Sequence, residues 1–198
     1  MVKFPNVKQT LIDRTITVLG TEGMDKTTTK AIVAGTGINE VYIYRHFANK
    51  EDLLSKAFDK LDEELAEKAM LHIPVMYMLN LEYETRCRFF FTAMWDCLLS
   101  DREGCFAYIR YYYSPYFIKN SAQAHKERFA PLIAKFSDAF KENANVWMLM
   151  NHILTTMLGF AVKVYDGHIP NNRNTEEHVF RVVYHSVHPY LKRAKEEK

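Results

Sequence analysis

Two glycines near the start of this chain, Gly35 and Gly37, separate two short helical patterns and restrict the possible fold more than any other feature. Before them, segment 28–33 combines a threonine that can cap a helix with an apolar face. After them, Ile43 and Phe47 lie four residues apart, which places both side chains on one helix face. Glycine adopts positive φ at little cost, so the pair predicts a tight turn. Two helices joined by such a turn form a helix-turn-helix, whose second helix enters a DNA major groove.

The order and spacing of these residues resemble the TetR family of transcriptional regulators. The positions that correspond to the family pattern are Thr28, Ile32, Val33, Thr36, Gly37, Ile38, Tyr44, Phe47, Lys50 and Leu53. The chain departs from the pattern at Val33 and Thr36, where alanine is usual, and at Asn39 and Val41, where serine and glycine are common. We expect the first two departures to alter helix packing and the other two to alter which operator is read. Beyond the motif, the chain resembles the family only in architecture.

The resemblance implies a helix-turn-helix DNA-binding domain at residues 1–56 and a helical ligand-binding and dimerisation domain at residues 57–198. It assigns phosphate contacts to Thr28, Tyr44 and Lys50, base-edge contacts to Asn39, Glu40 and Tyr42, and positions near the DNA backbone to Arg45 and His46. These assignments agree with physical chemistry, because helix N-termini and lysines suit phosphates. Exposed residues early in a recognition helix can also reach base edges.

Helical rather than alternating periodicity runs through nearly the whole chain, so we expect an all-α fold. The predicted helices outside the motif cover residues 6–19, 50–71, 81–100, 103–118, 121–142, 145–166 and 174–194. Asn6 is the expected N-cap of the first of these helices. The domain boundary near Lys56 falls inside the helix at 50–71, and a continuous helix there is a stiff connector.

Composition narrows the function class only slightly. The 198 residues carry a net charge of +2, and residues 1–56 hold eight basic against six acidic side chains. Three cysteines, Cys87, Cys97 and Cys105, form no CxxC pair and fit buried free thiols in a reducing cytosol. The longest apolar run, 146–162, is interrupted by polar residues, and the N-terminus lacks the apolar core of a signal peptide. We therefore expect a cytoplasmic protein with no membrane partner.

Aromatic rings crowd residues 89–117. Rings at helical spacing usually pack in a core, but several buried tyrosines require polar partners, which a ligand cavity supplies. The family resemblance also implies a small-molecule pocket in this part of the chain. The predicted lining residues are Phe91, Trp95, Tyr108, Tyr112, Trp147, Asn151 and Thr155. The expected effector is a small, largely apolar or aromatic molecule.

Two helices near the C-terminus carry more apolar surface than one small domain covers easily. The helix at 145–166 is apolar nearly all round, and the helix at 174–194 has an apolar stripe. Two chains that pack them into a four-helix bundle would bury both, as TetR-like proteins do. The predicted interface residues are Met150, Ile153, Met157, Val179, Val183 and Val187. A wholly intramolecular core is the alternative.

No paired catalytic carboxylates, nucleophile elbow or phosphate-binding glycine loop is present, so we expect neither an enzyme nor a cofactor. The leading interpretation is a ligand-responsive repressor that binds operator DNA as a homodimer and is released by its effector. One alternative is a helical small-molecule-binding protein that no longer binds DNA, against which Arg45 and Lys50 argue. The other is a small helical metalloenzyme that uses His185 and His188, which have ligand spacing but no accompanying carboxylate or cysteine.

Overall fold

The computed structural model describes residues 6–192, and this part of the chain is helical. The α-helices in these residues are α1 (Val7–Glu22), α2 (Thr29–Val33), α3 (Val41–His46), α4 (Lys50–His72), α5 (Tyr83–Ser100), α6 (Arg102–Tyr112), α7 (Pro115–Asn120), α8 (Ala122–Ser137), α9 (Val146–Tyr165) and α10 (Arg173–Val187). An isolated bridge between Phe140 and Leu191 is the only β-pairing among them. The predicted all-α fold is confirmed for the described residues. No helix among them is long and apolar enough to span a bilayer.

The helix predicted at 103–118 is divided by a proline. Pro115 occupies the first turn of α7, where its missing N–H costs nothing. Ser114 before it is extended, with φ −83° and ψ 157°, because the proline ring disfavours helical backbone in the preceding residue. The result is two helices, α6 and α7, in place of one.

Two other helices end earlier than predicted because their chain segments pair with each other. The predicted helix at 121–142 stops at Ser137, and the one at 174–194 stops at Val187. Beyond these ends, the Lys141 N–H donates to the Tyr190 carbonyl and the Lys192 N–H donates to the Ala139 carbonyl, both at 2.9 Å. These bonds satisfy backbone groups that a longer helix would otherwise satisfy. Residues 193 and 194 of the last predicted helix lie outside the described residues.

The chain divides into two compact units. The first comprises Met1–Leu65 and Asp101–Glu127, and the second comprises Ala66–Ser100 and Arg128–Lys198. The division falls inside α4. The predicted boundary between functional domains, at 56/57, describes DNA contact rather than compactness and stays a prediction.

The first unit places α6 directly against α1 at a glycine. A Cβ added at Gly20 would lie 2.2 Å from the backbone oxygen of Glu103, far inside normal contact. Arg110 secures the same place, since its Nη1 donates to the carbonyls of Leu19 and Gly20, both at 2.7 Å. Only glycine at position 20 permits this approach of two backbones.

We therefore expect Gly20→Ala to force α1 and α6 apart and to lower the free energy of unfolding by about 1–3 kcal/mol, the usual cost of overpacking. Urea denaturation followed by circular dichroism measures this loss. Gly159→Ala is the matched control, because the space around Gly159 is open and alanine favours helix. Equal stability of Gly20→Ala and wild type would show that the helices separate without cost.

The second unit is built from α5, α8, α9 and α10. The ring of Phe91 on α5 meets the ring of Phe180 on α10 at 5.4 Å, edge to face. The Tyr165 hydroxyl at the end of α9 donates to the Leu98 carbonyl at 3.0 Å. Arg88 on α5 pairs with Glu177 on α10. These contacts hold both α9 and α10 against α5.

Candidate functional sites

The turn between α2 and α3 has the geometry that its glycines predict. Gly35 and Gly37 have φ values of 72° and 73°, in the left-handed region. Between them, the Thr36 hydroxyl donates to the Val33 carbonyl and accepts from the Ile38 N–H. The turn is therefore closed by its own side chain as well as by its backbone.

The start of α3 lies one residue later than predicted. Glu40 occupies the N-cap position but makes no side-chain cap. Asn39 still caps the helix, because its Oδ1 accepts from the Val41 N–H at 2.9 Å. Thr28 caps α2 in the same manner, with its hydroxyl accepting from the Ala31 N–H at 3.1 Å. Two of the predicted DNA-contact residues thus also fix the ends of their helices.

The side chains predicted to contact DNA lie on the surface. Thr28, Asn39, Tyr44, Arg45 and His46 are exposed, while Glu40, Tyr42 and Lys50 are half-buried. The buried face of α3 is formed by Ile43, which is completely covered. Because that face is anchored in the core, the polar face of α3 has a defined orientation.

Local contacts further order this surface. The Arg45 guanidinium lies 4.7 Å from the centre of the Tyr42 ring, a cation–π distance. Lys50 begins α4, whose start is held by Asn49 and Asp52: Asn49 Oδ1 accepts from the Asp52 N–H, and Asp52 Oδ2 accepts from the Ala48 N–H, both at 2.9 Å. These two hydrogen bonds fix the first turn of α4 and therefore the position from which the Lys50 side chain extends.

The second unit contains an apolar cavity of about 80 Å³. The residues that line it are Met76, Tyr83, Cys87, Phe90, Phe91, Phe136, Phe140, Met150, Ile153, Met157, Phe180, Val183, Tyr184, Val187 and Leu191. They come from α5, α8, α9, α10 and the segments beside them. Sequence reasoning missed most of them, although the spacing of Phe180 and Tyr184 along α10 was a signal for a shared face.

Of the residues predicted to bind a ligand, Phe91 lines this cavity. Trp95 is buried behind it, with the two rings stacked at 6.0 Å. Trp147, Asn151 and Thr155 are half-buried on α9, but the cavity-facing side of that helix carries Met150, Ile153 and Met157 instead. The two sets follow different i, i+3, i+4 series, so they occupy different helix faces.

Tyr108 and Tyr112, also predicted to bind a ligand, belong to the first unit. There Asp62 is fully buried, and its Oδ1 accepts from the Tyr108 hydroxyl and from His125 Nδ1, both at 2.8 Å. The Tyr112 ring stacks on the Tyr108 ring at 6.1 Å.

A second hydroxyl in the first unit is satisfied in the same way. Tyr111 and Ser121 share a hydrogen bond of 3.0 Å, and Ser121 and Ser55 share one of 3.2 Å. In the sequence, several tyrosines at core positions predict a ligand cavity. For Tyr108 and Tyr111 that interpretation is corrected, because protein side chains supply the polar partners.

The predicted dimer-interface residues also need revision. Val179, Val183 and Val187 are 2%, 5% and 6% exposed within a single chain, and Met157 is 4% exposed. The other two, Met150 and Ile153, are half-buried and face the cavity together with Met157, Val183 and Val187. Four of the six side chains are therefore buried within a single chain, and the other two line a cavity that residues of α5 and α8 also line.

A different face of α9 and α10 is left uncovered. Met148 and Val182 are 61% and 50% exposed. The exposed His152 on α9 and Ser186 on α10 share a hydrogen bond of 2.9 Å, which brings the outer faces of the two helices side by side.

Two of the cysteines are unreactive thiols, and the described residues form no metal-ligand cluster. Burial raises the pKa of Cys87 to about 11 and that of Cys105 to about 12, which keeps both as thiols at neutral pH. His185 and His188 are exposed at the end of α10. In residues 6–192 no three His, Cys, Asp or Glu side chains come close enough together to hold a metal ion.

Comparison with known proteins agrees with this geometry. Residues 11–57 match the family of bacterial regulatory proteins described as the tetR family. No curated protein matches the chain.

The fold also matches solved structures. A TetR family transcription regulator from Marinobacter aquaeolei VT8 is similar with a TM-score of 0.74 and 13% identity, over 94% of this chain and 96% of that one. A putative tetR family transcription regulator from Shewanella sp. PV-4 is similar with a TM-score of 0.75 and 14% identity, over 94% of this chain and 98% of that one. The multidrug binding protein EbrR, complexed with imidazole, is similar with a TM-score of 0.64 and 16% identity, over 98% of this chain and 100% of that one.

Proposed function

We propose that this chain is a ligand-responsive transcriptional repressor, because residues 11–57 match the tetR family of bacterial regulatory proteins. It binds operator DNA as a homodimer through residues 1–56, while residues 57–198 hold the effector and the dimer contacts. Such a protein acts in the cytoplasm, where its operator is. The observation that carries the proposal is the exposed polar face of α3, oriented by the buried Ile43.

The eight surface residues divide by chemistry. Thr28, Tyr44 and Lys50 contact phosphates, since a helix N-terminus, a phenol and an ammonium each donate to a phosphate oxygen. Asn39, Glu40 and Tyr42 face base edges. Arg45 and His46 lie near the DNA backbone. Asn39 has its side-chain oxygen engaged in the cap, so it contacts bases through its amide NH₂.

Removing a phosphate contact should weaken binding to every DNA sequence alike. We expect Lys50→Ala to lower the steepness of the salt dependence by about one unit, because one fewer counterion is released. Asn39→Ala should instead change sequence preference. Fluorescence anisotropy with labelled DNA across a salt series measures both effects.

Lys68→Ala is the control for this experiment, because Lys68 is an exposed lysine farther along the same helix. It should leave affinity and salt slope unchanged. A Lys50→Ala protein that behaves like this control would remove Lys50 from the contact list. A wild-type protein that shows no sequence-dependent DNA binding would favour the alternative of a small-molecule-binding protein that has lost its operator.

The dimer contacts are now assigned to the outer face of α9 and α10. Met148 and Val182 supply apolar surface there, and His152 and Ser186 supply hydrogen-bonding groups. A two-fold pair of such faces makes an isologous four-helix interface, in which each patch contacts its own copy. Dimerisation also explains operator reading, since two recognition helices must match one DNA turn of about 34–36 Å.

Release of the operator by an effector must obey thermodynamic linkage between the two binding sites. A ligand in the cavity of the second unit shifts the protein only by its different affinities for the DNA-bound and released arrangements. The operator must therefore weaken effector binding by the same factor by which the effector weakens operator binding. The similar EbrR structure holds imidazole, a small molecule, which agrees with a ligand-binding role for this fold.

A further inference from the structure

The apolar cavity of the second unit meets a second, wider recess. Tyr83, Tyr184 and Leu191 line both spaces, so the two are neighbours across these side chains. The recess has a volume of about 340 Å³, against about 80 Å³ for the cavity. We refer to them as the inner cavity and the outer recess.

The two spaces differ in chemistry. The inner cavity is walled by aromatic, aliphatic and sulfur-containing side chains. The outer recess adds three basic side chains, Arg86, His188 and Lys192, and none of the described residues that line it is acidic. The nearby Glu84 is held by Arg88 through a 3.0 Å ion pair, which offsets its charge. The pair of spaces therefore runs from apolar to positive.

Arg86 has one donor that is satisfied by the protein and one buried donor that is not. Its Nη1 donates to the Met76 carbonyl at 2.7 Å, and its guanidinium lies 5.3 Å from the centre of the Tyr83 ring. Its Nε is buried and has no hydrogen-bond partner among residues 6–192, and no carboxylate in that range forms an ion pair with it. By contrast, Arg88 and Arg181 both pair with Glu177. Arg86 lines the outer recess, and its charge is not neutralised by a carboxylate of residues 6–192, so the guanidinium can attract an anionic ligand there.

We propose that the inner cavity and outer recess together bind a small amphipathic organic carboxylate. Its carboxylate accepts from Arg86 in the outer recess, where Lys192 adds positive charge and His188 adds a ring nitrogen, and its alkyl or aryl end enters the inner cavity. Arginine suits this task because its planar fork matches a carboxylate. That this ligand is the effector of the regulator rests on the proposed function, but its binding to the two spaces does not.

The walls between the two spaces suit such a ligand. Burial raises the pKa of Tyr83 and of Tyr184, so both phenols stay neutral and can donate to a carboxylate without repelling it. Cys87, with its pKa raised to about 11 by burial, is a neutral thiol at the same place. The wall between the inner cavity and the outer recess is therefore polar but uncharged. Such a wall suits a ligand that carries its charge at one end only.

Direct titration of the purified protein without DNA tests the assignment. The probes are octanoate, 4-phenylbutyrate and 1-octanol, measured by calorimetry and by the fluorescence of Trp95, which stacks on the cavity residue Phe91. We expect at least one of the two acids to bind about tenfold or more tightly than octanol, on the order of one charge-assisted hydrogen bond. Tighter binding of octanoate would indicate a ligand with an alkyl end, and tighter binding of 4-phenylbutyrate would indicate one with an aryl end. Equal binding of the acids and the alcohol, or no binding of either acid, would overturn the proposal.

Charge removal then tests the role of Arg86. Arg86→Gln should weaken the preferred acid by about 10–100-fold and leave octanol unaffected. Arg181→Gln removes an equivalent charge from the exposed side of α10 and should bind the acid as wild type does. Equal acid affinity in Arg86→Gln and wild type would contradict the carboxylate assignment.

Filling the inner cavity tests where the apolar end lies. Cys87→Phe and Ile153→Phe add bulk from α5 and α9, and each should abolish binding of the acid while the protein keeps a cooperative thermal transition. Two variants are used because one of them alone can fail to fold. Unchanged acid binding in either folded variant would place the apolar end elsewhere. If the acid binds as expected but never releases labelled operator, the induction mechanism fails while the binding site stands.

Discussion

Val183→Glu is expected to destabilise the second compact unit strongly, whereas Val182→Glu should leave that unit folded and dissociate the proposed dimer. Both positions are valines and are neighbours on α10, but Val183 is 5% exposed and Val182 is 50% exposed. A glutamate at the buried position must either ionise without a partner or take up a proton, and both cost several kcal/mol. At the exposed position it meets water in the monomer, and in the proposed dimer it would meet the same glutamate of the second copy.

Thermal denaturation and analytical ultracentrifugation separate the two outcomes. We expect Val183→Glu to lose about 3–5 kcal/mol of unfolding free energy, and Val182→Glu to keep its thermal midpoint but sediment as a monomer. Operator affinity should fall in Val182→Glu, because a single recognition helix makes half of the contacts. A Val182→Glu protein that remains dimeric would exclude the outer face of α9 and α10 as the interface. A stable, monomeric Val183→Glu protein would restore the buried stripe as the interface.

Asp62→Ala is expected to destabilise the first compact unit by about 2–6 kcal/mol, because each buried donor that loses its acceptor costs about 1–3 kcal/mol. Asp62 is fully buried, and a single carboxylate oxygen accepts from Tyr108 and from His125. Alanine would leave two buried polar groups without this acceptor and create a small cavity beside Phe58, whose ring lies 4.9 Å from that of Tyr108. Urea denaturation measures the loss.

Asp13→Ala is the control for this second prediction. Asp13 also pairs with a basic group, Lys60, at 2.7 Å, but its side chain is 50% exposed. An exposed ion pair contributes about 0–1 kcal/mol, so this variant should unfold almost as wild type does. If the two variants lose the same free energy, burial of Asp62 contributes nothing beyond a surface pair.

The helix-turn-helix could be predicted because the interactions that form it are local. Gly35 and Gly37 have positive φ in the structure, and the threonine at position 28 caps its own helix, as the spacing implied. Ile43 and Phe47 are buried together because four residues return a helix to the same face. Each of these features depends on neighbours within a few residues, so the order of amino acids is sufficient to determine it.

The arrangement of the second unit was decided by tertiary packing. A helix that is apolar nearly all round, such as α9, gives no indication of which face meets its own chain and which meets a partner. The buried state of Val183 and the exposed state of Val182 follow from the position of α5 and α8, which lie far away in sequence. The partner of Tyr108 is likewise a carboxylate 46 residues earlier. Residue types and periodicity determined the helices and the DNA-reading motif, but only the packed structure decided where apolar faces and buried polar groups find their partners, because those contacts join residues that no local spacing relates.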